Sequence, residues 1–348
     1  MATAPAVVSY PDYTDGNVYQ KLLYSSYQGS VQFGSIDAAF QQLDQRQPCI
    51  LHLHWINQII SGDLHEATRN IEHFKNRLCS FMSRGGKIAW TIHNLYGHAT
   101  PKELLDTEKQ FRHWLVRTVD VLILHKPAHL SLIANEYEVM PKRVYFHSHG
   151  LYDIKQPPVT PPISLRGMEY DCQSSFGLIG QIRRYKGIDD ACQIVARLSP
   201  SVSHHSCFVV AGYVEPGFQE ELKDIIDPLR ERTRVILIDR RLDDQELNFL
   251  TAISRIILLP YRNILNSGSL RFNQSVGIPS LMPSRHQCLF AGEPGVLFYD
   301  DYSQAAQLLS EVLSRPRDLD VKDRQSLVCR AKELFRWPDL TNVFAALG

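Results

Sequence analysis

The chain has 348 residues and carries 37 Lys plus Arg against 37 Asp plus Glu, so its formal net charge is zero. This balance excludes a nucleic-acid or polyanion binder that acts through the field of the whole molecule, and any basic site must be local. The length predicts two domains of roughly 150 to 180 residues, each with its own core.

Short apolar runs alternate with helix-period segments in the first half of the chain. The predicted strands are CILHLHW (49–55), KIAWTIHN (87–94), VDVLILH (119–125) and RVYFHSHG (143–150), and the predicted helices span 64–83 and 101–117. This alternation is typical of a parallel sheet with crossover helices. Residues 1–155 are therefore predicted to form a Rossmann-like domain of the α/β class.

Four prolines fall within six positions of KQPPVTPPIS (155–164), where they interrupt helices and sheet ladders and mark a domain boundary. The alternation resumes after them. Strands are predicted at 174–180, 207–212, 234–239 and 255–260, and helices at 188–198, 217–230, 243–253 and after NSGS (266–269). Residues 165–330 should form a second Rossmann-like domain, and 331–348 a terminal helix, interrupted at Pro338, that crosses back towards the first. Two doubly wound domains of this kind are expected to face a cleft at the carboxyl ends of their strands.

A cluster of cations follows the first predicted strand of the second domain, in IGQIRRYKGIDDA (179–191). Gly180 permits close approach of a ligand to the backbone, the following helix start contributes partial positive charge, and Arg183 and Lys186 add fixed cations. We interpret this loop as a phosphate site. A solvated basic loop without a ligand is the alternative.

A second strand end in the same domain also suits an anion. In LLPYRNILNSGSLRFNQSVGIP (258–279), Ser267, Gly268 and Ser269 begin an amphipathic helix, and small residues there present free N–H groups or serve as plain N-caps. Tyr261 and Asn266 border the same loop. With no Walker-type Gly-Lys-Ser and no early G-x-G-x-x-G, the two strand ends favour a nucleotide diphosphate.

These two segments resemble the donor-binding half of the GT-B glycosyltransferases. The resemblance implies a nucleotide-sugar donor as co-substrate, with its diphosphate held by Arg183, Lys186 and the loop 259–270. More narrowly, LHLHW (51–55), TIHNLYGH (91–98), RRYKG (183–187) and LPYRNILNSGSL (259–270) are similar to the inverting mannosyltransferases of bacterial exopolysaccharide (xanthan-pathway) assembly. That narrower resemblance alone implies GDP-mannose, a lipid-linked saccharide acceptor and peripheral contact with the inner face of the cell membrane. UDP-sugars and a small soluble acceptor stay open.

The chain departs from the larger, retaining GT-B group at two positions. Those enzymes carry two glutamates eight positions apart around this loop, whereas this chain has Ile264 and Phe272, or in the other register Asn266 and Gln274. Their loss favours inversion and leaves ribose binding unassigned. It is equally compatible with a non-catalytic nucleotide-sugar-binding protein, and a GT-B nucleotide-sugar epimerase is a further alternative.

An inverting transfer needs a general base in the first domain. The candidates at strand ends are His93, His98, Asp12 and Asp15, and His54, beside a structural His52, is expected to line the cleft with Asn94. His93 lies where GT-B enzymes often set a histidine against the donor sugar. Surface loop polarity is the alternative for His98 and the two aspartates.

Metal, disulfide and membrane signals are weak. The pair at 93 and 98 lacks the i, i+4 spacing of a helical zinc site, so a metal-independent mechanism is favoured. Seven scattered cysteines without a C-x-x-C pair indicate reduced thiols, and the N-terminus lacks a signal-peptide pattern, so a cytoplasmic protein is predicted. Phe111 and Trp114 beside cations would suit lipid headgroups if they faced outward, and packing against the sheet is the alternative.

Overall fold

A computed structural model describes residues 4–97, 100–154, 160–166 and 174–347 of the chain, with the side chains of 317–321 left out. The chain divides into two compact units, one of residues 1–150 with 336–348 and one of residues 151–335. Each unit is built around its own parallel sheet.

The sheet of the first unit has the strand order β2-β1-β3-β4-β5-β6 in the described part of the chain. Its strands are β1 (Ala6–Tyr10), β2 (Val31–Phe33), β3 (Cys49–Leu53), β4 (Lys87–Thr91), β5 (Val121–Leu124) and β6 (Val144–Phe146). Its helices are α1 (Tyr19–Leu23), α2 (Ile36–Asp44), α3 (Leu64–Ser83), α4 (Leu105–Thr118) and α5 (Ala128–Tyr137). Strands β3 and β5 are buried along their whole length, as expected of a sheet covered on both faces.

The second unit has the strand order β12-β11-β10-β7-β8-β9. Its strands are β7 (Ser174–Ile179), β8 (Ser206–Ala211), β9 (Arg234–Ile238), β10 (Ser254–Leu258), β11 (Ser280–Pro283) and β12 (Val296–Tyr299). Its helices are α6 (Ile188–Val195), α7 (Pro200–Ser203), α8 (Gln219–Ile226), α9 (Asp244–Ile253), α10 (Gly268–Val276), α11 (Gln287–Phe290), α12 (Tyr302–Leu313) and α13 (Arg317–Leu334). Counted within the unit, this is the Rossmann order 3-2-1-4-5-6, so the order reverses between β7 and β10.

The predicted α/β class is confirmed, and the differences lie mainly at element ends. Helix 64–83 is reproduced in full. The predicted strands end one to four residues later than the observed strands do. Strand 143–150, for example, is only Val144–Phe146. The histidines that follow the apolar runs therefore lie beyond the strands, in the loops at the edge of the sheet. Strands β1, β2, β11 and β12 were not predicted.

The aromatic residues of α4 do not form the outward pair that a lipid surface would need. Phe111 is buried, with its ring centroid 5.9 Å from that of Phe74, and Trp114 is half-buried under Lys75, whose Nζ lies 5.5 Å from the ring. Within the described residues, no helix has both the length and the apolarity to cross a bilayer.

The last residues of the chain complete the core of the first unit. Helix α14 (Thr341–Ala345) places Phe344, fully buried, with its ring centroid 5.8 Å from that of Tyr27 and 5.4 Å from that of His52. The segment is pinned by the Gln28 N–H, which donates to Thr341 Oγ1 at 3.0 Å, and by Arg143, which donates to the Ala346 carbonyl at 3.0 Å.

Replacing Phe344 by Ala should therefore destabilise the first unit by about 3–5 kcal/mol, the usual cost of removing a fully buried aromatic ring. Chemical denaturation of the full chain, followed by circular dichroism, measures this loss. The matched control is Val343→Ala on the same helix, where the partly buried side chain should cost much less. Equal effects of the two substitutions would contradict the packing described here.

Candidate functional site

The site predicted in the second unit lies where its strand order reverses. Gly180 directly follows β7, and the segment from Leu259 to Ser267 leads from β10 to α10, so both predicted loops leave neighbouring strands. Crevices at such reversals are the ligand-binding positions of open α/β sheets. The structure thus brings together Gly180, Lys186 and Ser269, which the sequence places almost ninety positions apart.

Lys186 is a buried cation without an acidic partner. Its side chain is 8% exposed, and among the described residues its ammonium makes no ion pair and donates no hydrogen bond. Burial, together with the charge of Arg183, lowers the pKa of Lys186 to about 8. A buried ammonium of this kind is costly unless an anion compensates it.

The two adjacent arginines have different environments. Arg184 is committed to the fold, because its guanidinium donates to Glu221 at 2.7 Å and lies 4.6 Å from the centre of the Phe218 ring. The half-buried Arg183 guanidinium has no ion pair or hydrogen bond within the described chain. Its positive charge helps to lower the pKa of Lys186. Arg183 therefore stays available to a ligand.

Gly180 leaves an open space between the two loops. It has φ +108°, and a Cβ added there would lie 3.9 Å from Lys186 Nζ and 4.0 Å from Ser269 Oγ, with no atom nearer. Gly187, at φ +70°, lets the loop approach the next strand end, since a Cβ there would lie 2.2 Å from the Pro260 carbonyl oxygen. The space at Gly180 is bordered by a cation and a hydroxyl, which suits phosphate oxygens.

The start of α10 supplies further donors. Ser267 is the N-cap, and its Oγ accepts from the Leu270 N–H at 3.0 Å, so this hydroxyl serves the helix. The N–H groups of Gly268 and Ser269 have no acceptor among the described residues, as is usual for a first turn. Asn266 Oδ1 is buried without a hydrogen-bond partner among the described residues. Burial raises the pKa of Tyr261, and the Ser269 and Ser267 side chains offset part of that rise.

Two of the four positions that lack glutamates, Phe272 and Gln274, have structural roles on α10. Phe272 packs with its ring centroid 5.9 Å from that of Tyr152, and Gln274 is buried and donates to the Pro294 carbonyl at 3.0 Å. The nearby Glu293 is held by Arg271, whose guanidinium donates to it at 2.6 and 2.9 Å. The polar side chains on this face of α10 are thus already engaged in hydrogen bonds within the second unit.

The first unit contains a cluster of buried histidines at the carboxyl edge of its sheet. Its members are His52, His54, His93, His125, His147 and His149. Tyr19 joins them, with its ring centroid 4.9 Å from that of His93 and 5.0 Å from that of His149, and Trp55 stacks on His93 at 4.0 Å. Of these histidines, sequence analysis singled out only those at 52, 54 and 93; the endings LILH and HSHG were the signal for the others.

Hydrogen bonds connect three of these histidines, through Tyr24, with Thr91. His93 Nε2 lies 3.2 Å from His54 Nδ1, and His54 Nε2 lies 3.2 Å from Tyr24 Oη. Tyr24 Oη lies 2.7 Å from His52 Nδ1, and His52 Nε2 lies 2.7 Å from Thr91 Oγ1. Both His52, on β3, and His54, just beyond it, are buried, and their ring centroids lie 4.2 Å apart.

Burial keeps five of the six histidines neutral. It lowers the pKa of His54 to about 3 and of His147 to about 4, and it holds those of His52, His93 and His125 well below the ordinary value, with neighbouring histidines adding to the effect. The described residues contain no group of three or more His, Cys, Asp or Glu side chains arranged to hold a metal ion.

The other candidate bases are less suited to the role. Asp12 is exposed, and its carboxylate accepts from the Thr14 N–H at 2.9 Å and the Thr14 hydroxyl at 2.7 Å, which lowers its pKa. Asp15 is also exposed. Asn94 lies just beyond β4, and its carbonyl accepts from Arg112 at 3.1 Å. His98 lies outside the described residues.

A cavity of about 280 Å³ lies at the carboxyl edge of the first unit's sheet, where its strand order reverses between β1 and β3. It is lined by Tyr10, Ser35, Ile36, Asp37, Gln58, Ile59, Asn70, His73, Phe74 and Arg77. Gln58 donates to Tyr10 Oη at 3.1 Å, and Arg77 pairs with Asp37. Sequence analysis missed this cavity, because its lining comes from three strand ends and a helix.

No protein-family model and no curated protein matches the chain, but its fold matches those of solved structures. An α,α-trehalose-phosphate synthase (UDP-forming) from Burkholderia xenovorans, in complex with glucose-6-phosphate, has a TM-score of 0.69 at 10% identity, over 98% of this chain and 99% of that one. WaaG, a glycosyltransferase involved in lipopolysaccharide biosynthesis, has a TM-score of 0.57 at 14% identity over 98% of both chains. The trehalose-6-phosphate structure from E. coli bound with UDP-2-fluoro glucose has a TM-score of 0.60 at 11% identity, over 97% and 82%. The fold is therefore that of the GT-B glycosyltransferases, with two Rossmann-like domains.

The neutral histidine cluster should make the first unit sensitive to acid. Unfolded histidines bind protons below about pH 6.5, whereas the buried ones stay neutral until pH 3 to 4, so stability is complete above pH 6.5 and falls as the pH falls towards that range. Each such histidine contributes a slope of about 1.4 kcal/mol per pH unit. Denaturation midpoints between pH 7.5 and 5 measure the slope, and His147→Gln should reduce it by one proton. A stability that is level over this range would contradict the account.

Proposed function

We propose that the chain is a glycosyltransferase that transfers a sugar from a nucleotide-sugar donor to a hydroxyl acceptor. The observation that carries the proposal is the buried, unpaired ammonium of Lys186 beside the open space at Gly180, at the strand-order reversal of a Rossmann-like sheet. The departing diphosphate needs stabilising charge, and a preorganised cation in a desolvated loop provides it. Arg183, Gly180 and the first turn of α10 from Ser267 to Ser269 complete the proposed donor site.

The finer assignments rest on sequence motifs. We propose inverting transfer because the two glutamates of the retaining group are absent, with mannose from GDP-mannose as the favoured sugar and a lipid-linked saccharide as the favoured acceptor. His93 would contact the donor sugar, and Tyr261 and Asn266 would border it. The cavity between Tyr10 and Phe74, rich in planar polar groups, is the proposed acceptor region. A cytoplasmic enzyme with peripheral membrane contact and no metal requirement fits this scheme.

Lys186→Met should weaken binding of the matching nucleoside diphosphate about 10- to 100-fold, because a hydrogen bond to a charged group contributes about 1.5–3 kcal/mol. Arg183→Met should act in the same direction. Titration calorimetry against GDP, UDP and ADP measures both effects and identifies the base. The matched control is Arg184→Met, which removes the neighbouring cation that is bound to Glu221 and should leave affinity unchanged. Equal losses at all three positions, or no binding by the wild type, would contradict the proposed donor site.

Turnover separates the enzyme from its alternatives. We expect slow release of nucleoside diphosphate from the matching donor and, with a suitable acceptor, a product whose anomeric configuration is opposite to that of the donor, as proton NMR of the product would measure. Retained configuration would contradict inversion. Binding without turnover would indicate a nucleotide-sugar-binding protein, and release of a free sugar with a changed C2 configuration would indicate an epimerase.

A further inference from the structure

The ring of Tyr261 lies beside the Lys186 ammonium. Nζ of the lysine is over the ring, 5.9 Å from its centroid. The tyrosine is 3% exposed and the lysine 8%, so water screens neither group well. The face of an aromatic ring carries partial negative charge and attracts a cation, more strongly in a desolvated site. The ring therefore supports a charge that no acid among the described residues supports.

A ring supports the ammonium without neutralising it. A carboxylate in the same place would pair with Lys186 and would repel an incoming phosphate. The ring attracts the cation but has no net charge of its own. The full positive charge of Lys186 thus stays available at the open space beside Gly180, where Nζ and Ser269 Oγ lie 3.9 and 4.0 Å from the position of an added Cβ.

The backbone of Tyr261 is held from both neighbouring strand ends. Its carbonyl oxygen accepts from His286 Nε2 at 2.6 Å and from Arg285 at 3.1 Å, and both donors follow β11. The preceding Pro260 carbonyl oxygen lies against Gly187, in the loop after β7, where a Cβ would be only 2.2 Å away. Since β10 lies between β7 and β11, these contacts fix the end of β10 from both sides.

The hydroxyl end of the ring lies at the start of α10. Burial raises the pKa of Tyr261, and the side chains of Ser269 and Ser267 lie close enough to offset part of that rise. One side chain thus extends from the Lys186 ammonium to the first turn of α10. These two groups come from different strand ends, and they border the same open space.

We propose that Tyr261 is a positioning residue of the donor site, whose ring face holds the Lys186 ammonium and whose hydroxyl end lies against the first turn of α10, so that the cation and the helix start face one diphosphate. The inference rests on the proposed function, which supplies the diphosphate as ligand. In this role Tyr261 acts through Lys186, and the ring rather than the hydroxyl carries most of the effect.

The test follows the pKa of Lys186 directly, by ¹³C NMR of the full chain labelled at the lysine ε-carbon, with Lys186→Met to assign the signal. Tyr261→Leu removes the ring, so the pKa of Lys186 should fall further below about 8, because the buried ammonium loses an attractive contact. Titration calorimetry with GDP, UDP and ADP should show an affinity about 3- to 30-fold lower for the nucleotide that the wild type binds. Tyr261→Phe, which returns the ring alone, should recover most of this loss.

A matched control and a shape-preserving series separate the contact from general destabilisation. Phe218→Leu removes the ring that lies 4.6 Å from the neighbouring Arg184 guanidinium, and it should change neither the pKa of Lys186 nor the affinity. Fluorinated phenylalanines at position 261 keep the shape of the ring while fluorine withdraws charge from its face. Both the pKa of Lys186 and the affinity should therefore fall with each added fluorine.

An unchanged or raised pKa of Lys186 in Tyr261→Leu would overturn the inference, as would an affinity that does not depend on the number of fluorine atoms. Equal losses of affinity in Tyr261→Leu and Phe218→Leu would also overturn it. Absence of Lys186-dependent nucleotide binding in the wild type would overturn the proposed function instead, and the pKa of Lys186 would still show whether the ring supports the ammonium.

Discussion

Desolvation of ionisable groups governs both candidate sites, with opposite results. In the second unit the Lys186 ammonium is buried with no acidic partner among the described residues, so an anion beside it would offset the cost of its burial. In the first unit, burial lowers the pKa of His52 and of His93, so these side chains stay neutral within their hydrogen-bonded chain. The same physical effect thus leaves a cation at one sheet edge and neutral imidazoles at the other.

The fold class, and the proximity of the residues that form the proposed donor site, could be predicted from local patterns. Gly180 and Lys186 follow one apolar run, and Ser267 to Ser269 follow another. The two segments come together provided that the two strands are parallel neighbours in the sheet. The histidine cluster could not be predicted, because its members come from the ends of four strands and only the sheet order brings them together. Tyr24 is on no predicted element, and nothing local distinguishes it from a core tyrosine.

Element ends were the weakest part of the prediction for a related reason. Polar residues such as His54, His93 and His149 continue the strand pattern in the sequence, but the strands themselves end before them. The residues by which the predicted strands are too long mark the edge of the sheet. Side chains at this edge lie outside the regular strands and can turn towards a ligand. Arg271 and Gln274 of α10 donate to Glu293. These hydrogen bonds also depend on tertiary contacts, so the local sequence did not predict them.

The placement of Phe344 in the core of the first unit also fixes an order of assembly. The second unit is made of one continuous stretch of chain, so all of its strands have been synthesised before α14 emerges. The first unit has its described strands by residue 146 but lacks the ring that covers Tyr27 and His52 until residue 344 has been synthesised. During translation the chain therefore passes through a stage in which the later unit is complete while the earlier one, with its histidine cluster, still lacks part of its cover.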